Sequence, residues 1–349
     1  MKKKLLAVAV VGALASPVAF GQTLYGILDV GYQNAKHANG DINKDFVQTG
    51  MKDSSRFGVR GSEDLAGGTY AMYQIEFDIQ ADTGATSAAG MTNRLTMVGL
   101  GSKAWGELTL GRQYTHVFHN NALGQASGTE TFASAASLMP RNVRASNSIK
   151  YSSPVMGGFS VGAIWAPGAT DGAAVAESTG VGADQNYWDA AVRYTPGPFG
   201  AGLAYGVLTV EAAGVETETT LTNLSLTWAT GAFDLRGHYA MAETEVGPAT
   251  TVDRTAWSIS AKMAFGGAND VRAMFGQSED EAPGNVANEA TFWGISFVHH
   301  MSKRTRLYAG YGTVDNDAGS ALVPSGFAVS GIAAGFDPRG FQVGVSHSF

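Results

Sequence analysis

Apolar and polar residues alternate along much of this chain. In "TYAMYQIEFDIQ" (69–80), Ala71, Tyr73, Ile75, Phe77 and Ile79 take every second position, with Tyr70, Met72, Gln74, Glu76 and Asp78 between them. A period of two is a strand with one apolar and one wet face, since a carboxylate at alternate positions does not tolerate a dry core. "FDLRGHYAM" sets Phe233, Leu235, Tyr239 and Met241 against Asp234, Arg236 and His238; "AWSISAKMAF" sets Trp257, Ile259, Met263 and Phe265 against Ser258, Ser260 and Lys262. Leu24, Leu28, Val30 and Tyr32 lie opposite Asp29. The final stretch "GFQVGVSHSF" places Phe341, Val343, Val345, His347 and Phe349 on one face and Gln342, Gly344, Ser346 and Ser348 on the other. A strand ending there needs a partner, or it would be an exposed, adhesive edge.

Short and long connections alternate between these segments. Short ones fall at Glu63–Gly68, Gly101–Gly106, Pro154–Gly158, Thr195–Gly200, Thr230–Ala232, Gly266–Asn269 and Met301–Arg304. Long polar ones fall near 35–54, 81–93, 114–143, 167–185, 212–219, 243–253, 278–289 and 315–338. About sixteen strands result, with about 20 residues per strand and connection, enough for a tilted membrane-spanning strand. A soluble sandwich or propeller would bury the apolar face and has no reason to keep its connections short at one end only. The inverted arrangement, apolar side chains outward around a polar interior, is a closed transmembrane barrel. Glu76, Asp78, Arg236 and Lys262 then line a wide interior, and aromatics near strand ends (Trp105, Trp188, Trp293, Tyr308, Tyr311) mark the membrane borders. The last strand is expected to pair with the first, near Thr23–Asn34, leaving no edge.

Composition changes the picture at the N-terminus. "MKKKLLAVAVVGALASPVAFGQ" has a basic start, an apolar run and small residues at Ala19 and Gly21, so residues 1–21 are expected to be a secretory signal cleaved before Gln22. The domain would be 22–349, with 20 basic and 30 acidic residues and a net charge of −10, since three of the 23 basic residues lie in the leader. There is no cysteine, so disulfides play no part. No nucleic-acid partner and no cofactor are expected. An outer-membrane barrel enzyme would need a nucleophile with base and orienter, and no such pattern stands out. His116, His119 and His299–His300 have no ligand spacing around them, so no metal site is expected. The acids of "SEDEAPGN" (278–285) are expected to face the medium, and the "NLS" at Asn223 falls inside a strand.

Six stretches carry a resemblance to a known family: "TLYGILDVGY", "SSRFGVRGSEDLAGGTYAMYQIE", "NRLTMVGLGSKAWGELTLGRQY", "NSIKYSSPVMGGFSVGA", "HHMSKRTRLYAGY" and "VGVSHSF". The chain resembles the trimeric general porins of Gram-negative outer membranes, in the branch typical of betaproteobacteria. The resemblance implies an all-β, 16-stranded antiparallel transmembrane barrel with short periplasmic turns and long extracellular loops. It implies a homotrimer with loop three folded into each pore, in contact with outer-membrane lipid and lipopolysaccharide. It also implies assembly by the barrel-insertion machinery reading the C-terminal strand, here Phe341, Val343, Val345 and Phe349.

The expected function is passive diffusion of ions and small hydrophilic solutes, with selectivity set by size and charge at a constriction. Loop three, "YTHVFHNNALGQASGTETFASAASLMPRNV" (114–143), is rich in small residues and has Glu130 as its one acid. By similarity, Arg56, Arg94, Arg112 and Arg144 form a basic half-ring opposite it. Alternation points Arg56 and Arg60 inward with Phe57 and Val59 outward, and Arg94 inward with Leu95 and Met97 outward. A lipid-facing arginine would cost about 2–4 kcal/mol at the midplane. Lys150, between Ile149 and Tyr151, also points inward. Arg112 shares the face of Leu108 and Leu110 unless a bulge at Gly111 re-aims it. Asp29, Glu76, Asp78 and Glu107 are the acidic lumen candidates. A weak anion preference is expected, because charges at the gap outweigh distant loop charges that are screened within about 8–10 Å.

Overall fold

The computed structural model describes residues 21–37, 43–85, 94–128, 131–168, 184–212, 214–284, 288–329 and 332–349; leader residues 1–20 and Glu130 lie outside them. The strands are β1 (Thr23–His37), β2 (Asn43–Thr49), β3 (Arg56–Asp64), β4 (Thr69–Asp78), β5 (Leu95–Ser102), β6 (Gly106–Tyr114), β7 (Arg144–Ser152), β8 (Phe159–Pro167) and β9 (Asp184–Tyr194). They continue as β10 (Phe199–Ala212), β11 (Val215–Thr230), β12 (Phe233–Val246), β13 (Ala249–Phe265), β14 (Asn269–Asp280), β15 (Ala290–His300), β16 (Thr305–Asn316) and β17 (Pro338–Ser348). One helix, α1 (His116–Leu123), lies in the third long connection.

β1 pairs antiparallel with both β2 and β3, each strand from β3 onward pairs antiparallel with the next, and β17 pairs back with β1 from Ile27–Ser348 to His37–Pro338. Phe349 N–H donates to the Gly26 carbonyl and Gly26 N–H to that of Phe349, both at 3.1 Å. The terminal aromatic therefore completes the seam between the last strand and the first.

β1 meets β2 along its second half and β3 along its first, so these two stretches are one barrel strand and the barrel has sixteen. Asp29 causes the break between them. Its carbonyl accepts from Gly50 N–H and the Ser55 hydroxyl, and its carboxylate accepts from Asp53 N–H at 3.1 Å. The excursion drives Met51 inward against Val298 and Tyr308.

The two faces are inverted relative to a soluble protein. Val98, Leu110, Ile259, Ile295 and Phe341 are exposed on the outer wall, while Asp29, Glu76, Asp189 and Asp234 are buried on the inner one. Some expectations need correcting. Thr96, Val98 and Leu100 face outward on β5, so Leu95 and Met97 face inward: Glu76 is register-paired with Leu95, and Ile75 with Thr96. Tyr308 is not at a membrane border but inside, donating to Asp29 Oδ1 at 2.7 Å. Three stretches expected as long loops are largely strand. Asn43–Thr49 pairs with β1, and the connections near 212–219 and 243–253 are the tips of tall hairpins whose strands run to Ala212, Val215, Val246 and Ala249. Polarity misled in each case, since these strands rise past the apolar belt and are wet on both faces.

Candidate functional site

Loop three enters the barrel as α1. Thr115 caps it, its side chain accepting from Phe118 N–H at 3.0 Å. The Asp189 carboxylate on β9 accepts from His116 N–H (2.8 Å), Val117 N–H (3.0 Å) and the Tyr187 hydroxyl (2.9 Å). A carboxylate at a helix N-terminus satisfies free amides and complements the helix dipole. At the other end Arg236 donates to the Leu123 carbonyl at 3.1 Å, the favourable sign for a C-terminus.

His116, Val117, Asn120 and Asn121 face the wall and are buried. Asn120 donates to the carbonyls of Gly202 (3.2 Å) and Asn223 (2.8 Å). The approach is close enough to require glycine. A Cβ on Gly202 would lie 2.0 Å from Asn120 Oδ1, and one on Gly162 2.2 Å from the His116 ring. Burial, with Lys150 and Arg193 nearby, pushes the His116 pKa down to about 2, so the imidazole is neutral in its seat.

Past the helix the loop crosses to the opposite wall. Ala126 N–H donates to Ser260 Oγ at 2.8 Å, and Gln342 donates to Thr131 Oγ1 at 2.9 Å. Phe132 is fully buried over Gly312 and Gly340. Ala135, Leu138 and Met139 pack on inward-facing Ala240, Ala256, Met274, Phe292 and Val314. The inner wall is thus apolar where the loop lies on it. The last loop also turns inward: Ser325 Oγ accepts from Ser137 N–H, the Ser137 hydroxyl donates to the Val323 carbonyl, and Phe327 meets Phe132 with ring centroids 5.8 Å apart. Thr115 and Asn142, hydrogen-bonded to each other, close the root of loop three.

Basic side chains gather beside that root. Glu76 lies 2.6 Å from Arg94 Nε and 4.0 Å from Arg56 Nη1, and accepts from the Tyr25 hydroxyl at 2.8 Å. Arg94 also reaches Asp78 at 3.9 Å. Tyr114 is the second centre. Its hydroxyl accepts from Arg94 (2.7 Å) and Arg144 (3.3 Å), and its carbonyl accepts from Lys150 Nζ (2.8 Å). The Arg144 guanidinium also lies 4.8 Å from the Tyr114 ring centroid. Of the site residues expected from sequence, Arg56, Arg94, Arg144 and Lys150 are brought together. Arg112 is set apart. The expected irregularity is there, but the extra residue belongs to β7, where Ser146 and Asn147 oppose Arg112 alone. Arg112 remains register-paired with outward-facing Thr96 and donates to Ser146 Oγ at 2.7 Å.

Sequence reasoning missed Tyr114 and Asp189, whose roles depend on partners tens of residues away, and Arg193, which donates to the His116 carbonyl at 3.0 Å. Three further arginines of the inner wall sit with aspartates: Arg236 with Asp234 (2.8 Å), Arg272 with Asp270 (2.6 Å) and Arg306 with Asp53 (3.2 Å). Around the root of loop three, by contrast, the described residues set five cations (Arg56, Arg94, Arg144, Lys150, Arg193) against four carboxylates (Glu76, Asp78, Glu107, Asp189). No group of histidine and acidic residues among the described residues is arranged to hold a metal ion.

A closed barrel with a loop packed inside it is the architecture of a channel, and comparison with known proteins agrees. The outer membrane porin protein 32 of Delftia acidovorans is 29% identical over 363 residues, covering 100% of both chains. An outer membrane porin protein of Bordetella pertussis is 28% identical, covering 90% of this chain and 94% of its own. Among solved structures, an anion-selective porin from Comamonas acidovorans superposes with a TM-score of 0.79 at 25% identity, covering 94% of this chain and 99% of the other. The family model for the Gram-negative porin matches residues 6–319. The chain belongs to the Gram-negative porin family, a family of outer-membrane channels.

Proposed function

We propose that this porin is a passive diffusion channel for ions and small hydrophilic solutes, with a weak anion preference set where loop three narrows the lumen. The observation that carries the reading is the local excess of cations, with Arg56, Arg94, Arg144 and Lys150 converging on Glu76 and Tyr114. Low-dielectric walls focus the field of such charges onto the water path. The Comamonas porin is anion-selective, which supports the same sign here. The acidic balance of residues 22–349 as a whole opposes it, but exposed charges beyond about 10 Å are screened at physiological salt.

The working unit is a homotrimer in outer-membrane lipid and lipopolysaccharide. Residues 1–21 serve as the export signal. The outward row Phe341, Val343, Val345 and Phe349 serves as the strand that the barrel-insertion machinery reads.

The test is the reversal potential of the purified protein in planar bilayers under a potassium chloride gradient. Chloride should permeate about 2- to 5-fold better than potassium, less than 1 kcal/mol of selectivity. A clear cation preference would overturn the charge assignment.

A further inference from the structure

The root of loop three holds a stack of flat groups that the charge argument does not use. The Tyr114 ring lies between Arg144, 4.8 Å from its centroid, and Phe118, whose ring is parallel to it within 14° at 4.8 Å. His119 meets both rings, 5.6 Å from Tyr114 and 6.1 Å from Phe118. α1 turns its polar face, with His116, Val117, Asn120 and Asn121, to the wall, so Phe118 and His119 project from the other side, half-buried and exposed respectively. An aromatic face at the edge of a water path is not needed to seat the helix, since Asp189, Gly202 and Asn223 already hold it. Beside it stand Arg94 and Lys150, both bonded to Tyr114.

We propose that this column is a selectivity platform for aromatic carboxylates: the ring of the solute continues the Arg144–Tyr114–Phe118 stack while its carboxylate pairs with Lys150. This deepens the anion-channel reading above and rests on it. Ring stacking discriminates a planar aromatic anion from a saturated one of equal charge by about 2- to 10-fold, because both carboxylates meet the same cation and only one presents a π-face.

Benzoate and cyclohexanecarboxylate, both ionised at pH 7.5, are the probes. The concentration of each that halves the chloride current through single channels is compared in the wild-type protein, in Phe118→Leu and in Phe118→Tyr. Benzoate should act at about 2- to 10-fold lower concentration in the wild type and in Phe118→Tyr. The two probes should act equally in Phe118→Leu. Equal action of the two on the wild type overturns the proposal, as does a benzoate preference that survives in Phe118→Leu. The chloride–potassium reversal potential, read on the same membranes, keeps the two ideas apart. A cation-selective channel removes the underlying reading, whereas an anion-selective channel indifferent to the ring removes the platform alone.

Discussion

Glu76 is the carboxylate on which the cations of the proposed gap converge. It is nearly fully buried on the inner wall and takes Arg94, Arg56 and the Tyr25 hydroxyl at once. A buried carboxylate so engaged is costly to remove, because its cations are left in place. Glu76→Gln should therefore do two things. The reversal potential should move toward chloride, raising the anion preference about 2-fold or more. Stability against denaturant should fall by about 1–3 kcal/mol, as a charge-assisted hydrogen bond becomes a neutral one. A shift toward potassium would show that Glu76 does not act on the permeating ion through these arginines. At this scale legibility followed regularity. Arg56 and Lys150 can be phased from their neighbours because alternation is regular along β3 and, past the irregularity at Ser146 and Asn147, along the rest of β7. Arg94 points inward, but alternation is not the reason: it precedes β5 by one residue, and the apolar Leu95 and Met97 that suggest a lipid face line the lumen. Tyr114 carries no sequence signal, being an ordinary tyrosine until Arg94, Arg144 and Lys150 are folded onto it.

Among the elements, α1 and the loop behind it carry the proposed aperture. Its seat is cut from glycine, so Gly202→Val should expel the helix from the wall: the branched side chain would occupy the space of Asn120. Single-channel conductance should rise and selectivity weaken while the barrel itself still forms, since β10 remains paired on both sides. Acid should loosen the same seat. The seated His116 stays neutral down to about pH 2, whereas a released loop would take up a proton near the ordinary histidine value of about 6.5. Seating is therefore indifferent to pH above about 6.5 and weakens progressively below it. Conductance should rise reversibly between about pH 6.5 and about pH 4, and His116→Gln should flatten that rise. Loop three is recognisable as a candidate from its length and small residues, but "HVFHNNAL" gives no helical signal. Its buried side is largely asparagine and histidine, satisfied by the wall and not by a greasy core. A subtler trace is present in β15, where "TFWGISFV" is apolar on both faces: Trp293 and Ile295 serve the outer surface, while Phe292 lies beneath the inserted loop and Val298 beneath Met51.

For the whole molecule the governing fact is the inversion of faces, and it is legible almost entirely from alternation. Its energetic sign is testable at Ile295, exposed on the outer wall in the middle of β15. Ile295→Arg should lower folding stability in lipid vesicles by about 2–4 kcal/mol, while Ile295→Leu should leave it nearly unchanged. Equal stability of the two would mean that this surface does not meet hydrocarbon. The heights of the strands were not legible, because the hairpins above the apolar belt are built from residues that also make loops.

One further consequence follows from the inward turn of the last loop. Ser325 and Phe327 tie it to Ser137 and Phe132 deep in the channel, so a chain segment that begins at the cell surface is fastened to the floor of the gap. An antibody or phage fibre gripping that segment from outside would pull on the loop packed inside the barrel. Escape from such a binder by sequence drift is open to the outer part of the segment and closed to the residues that moor it.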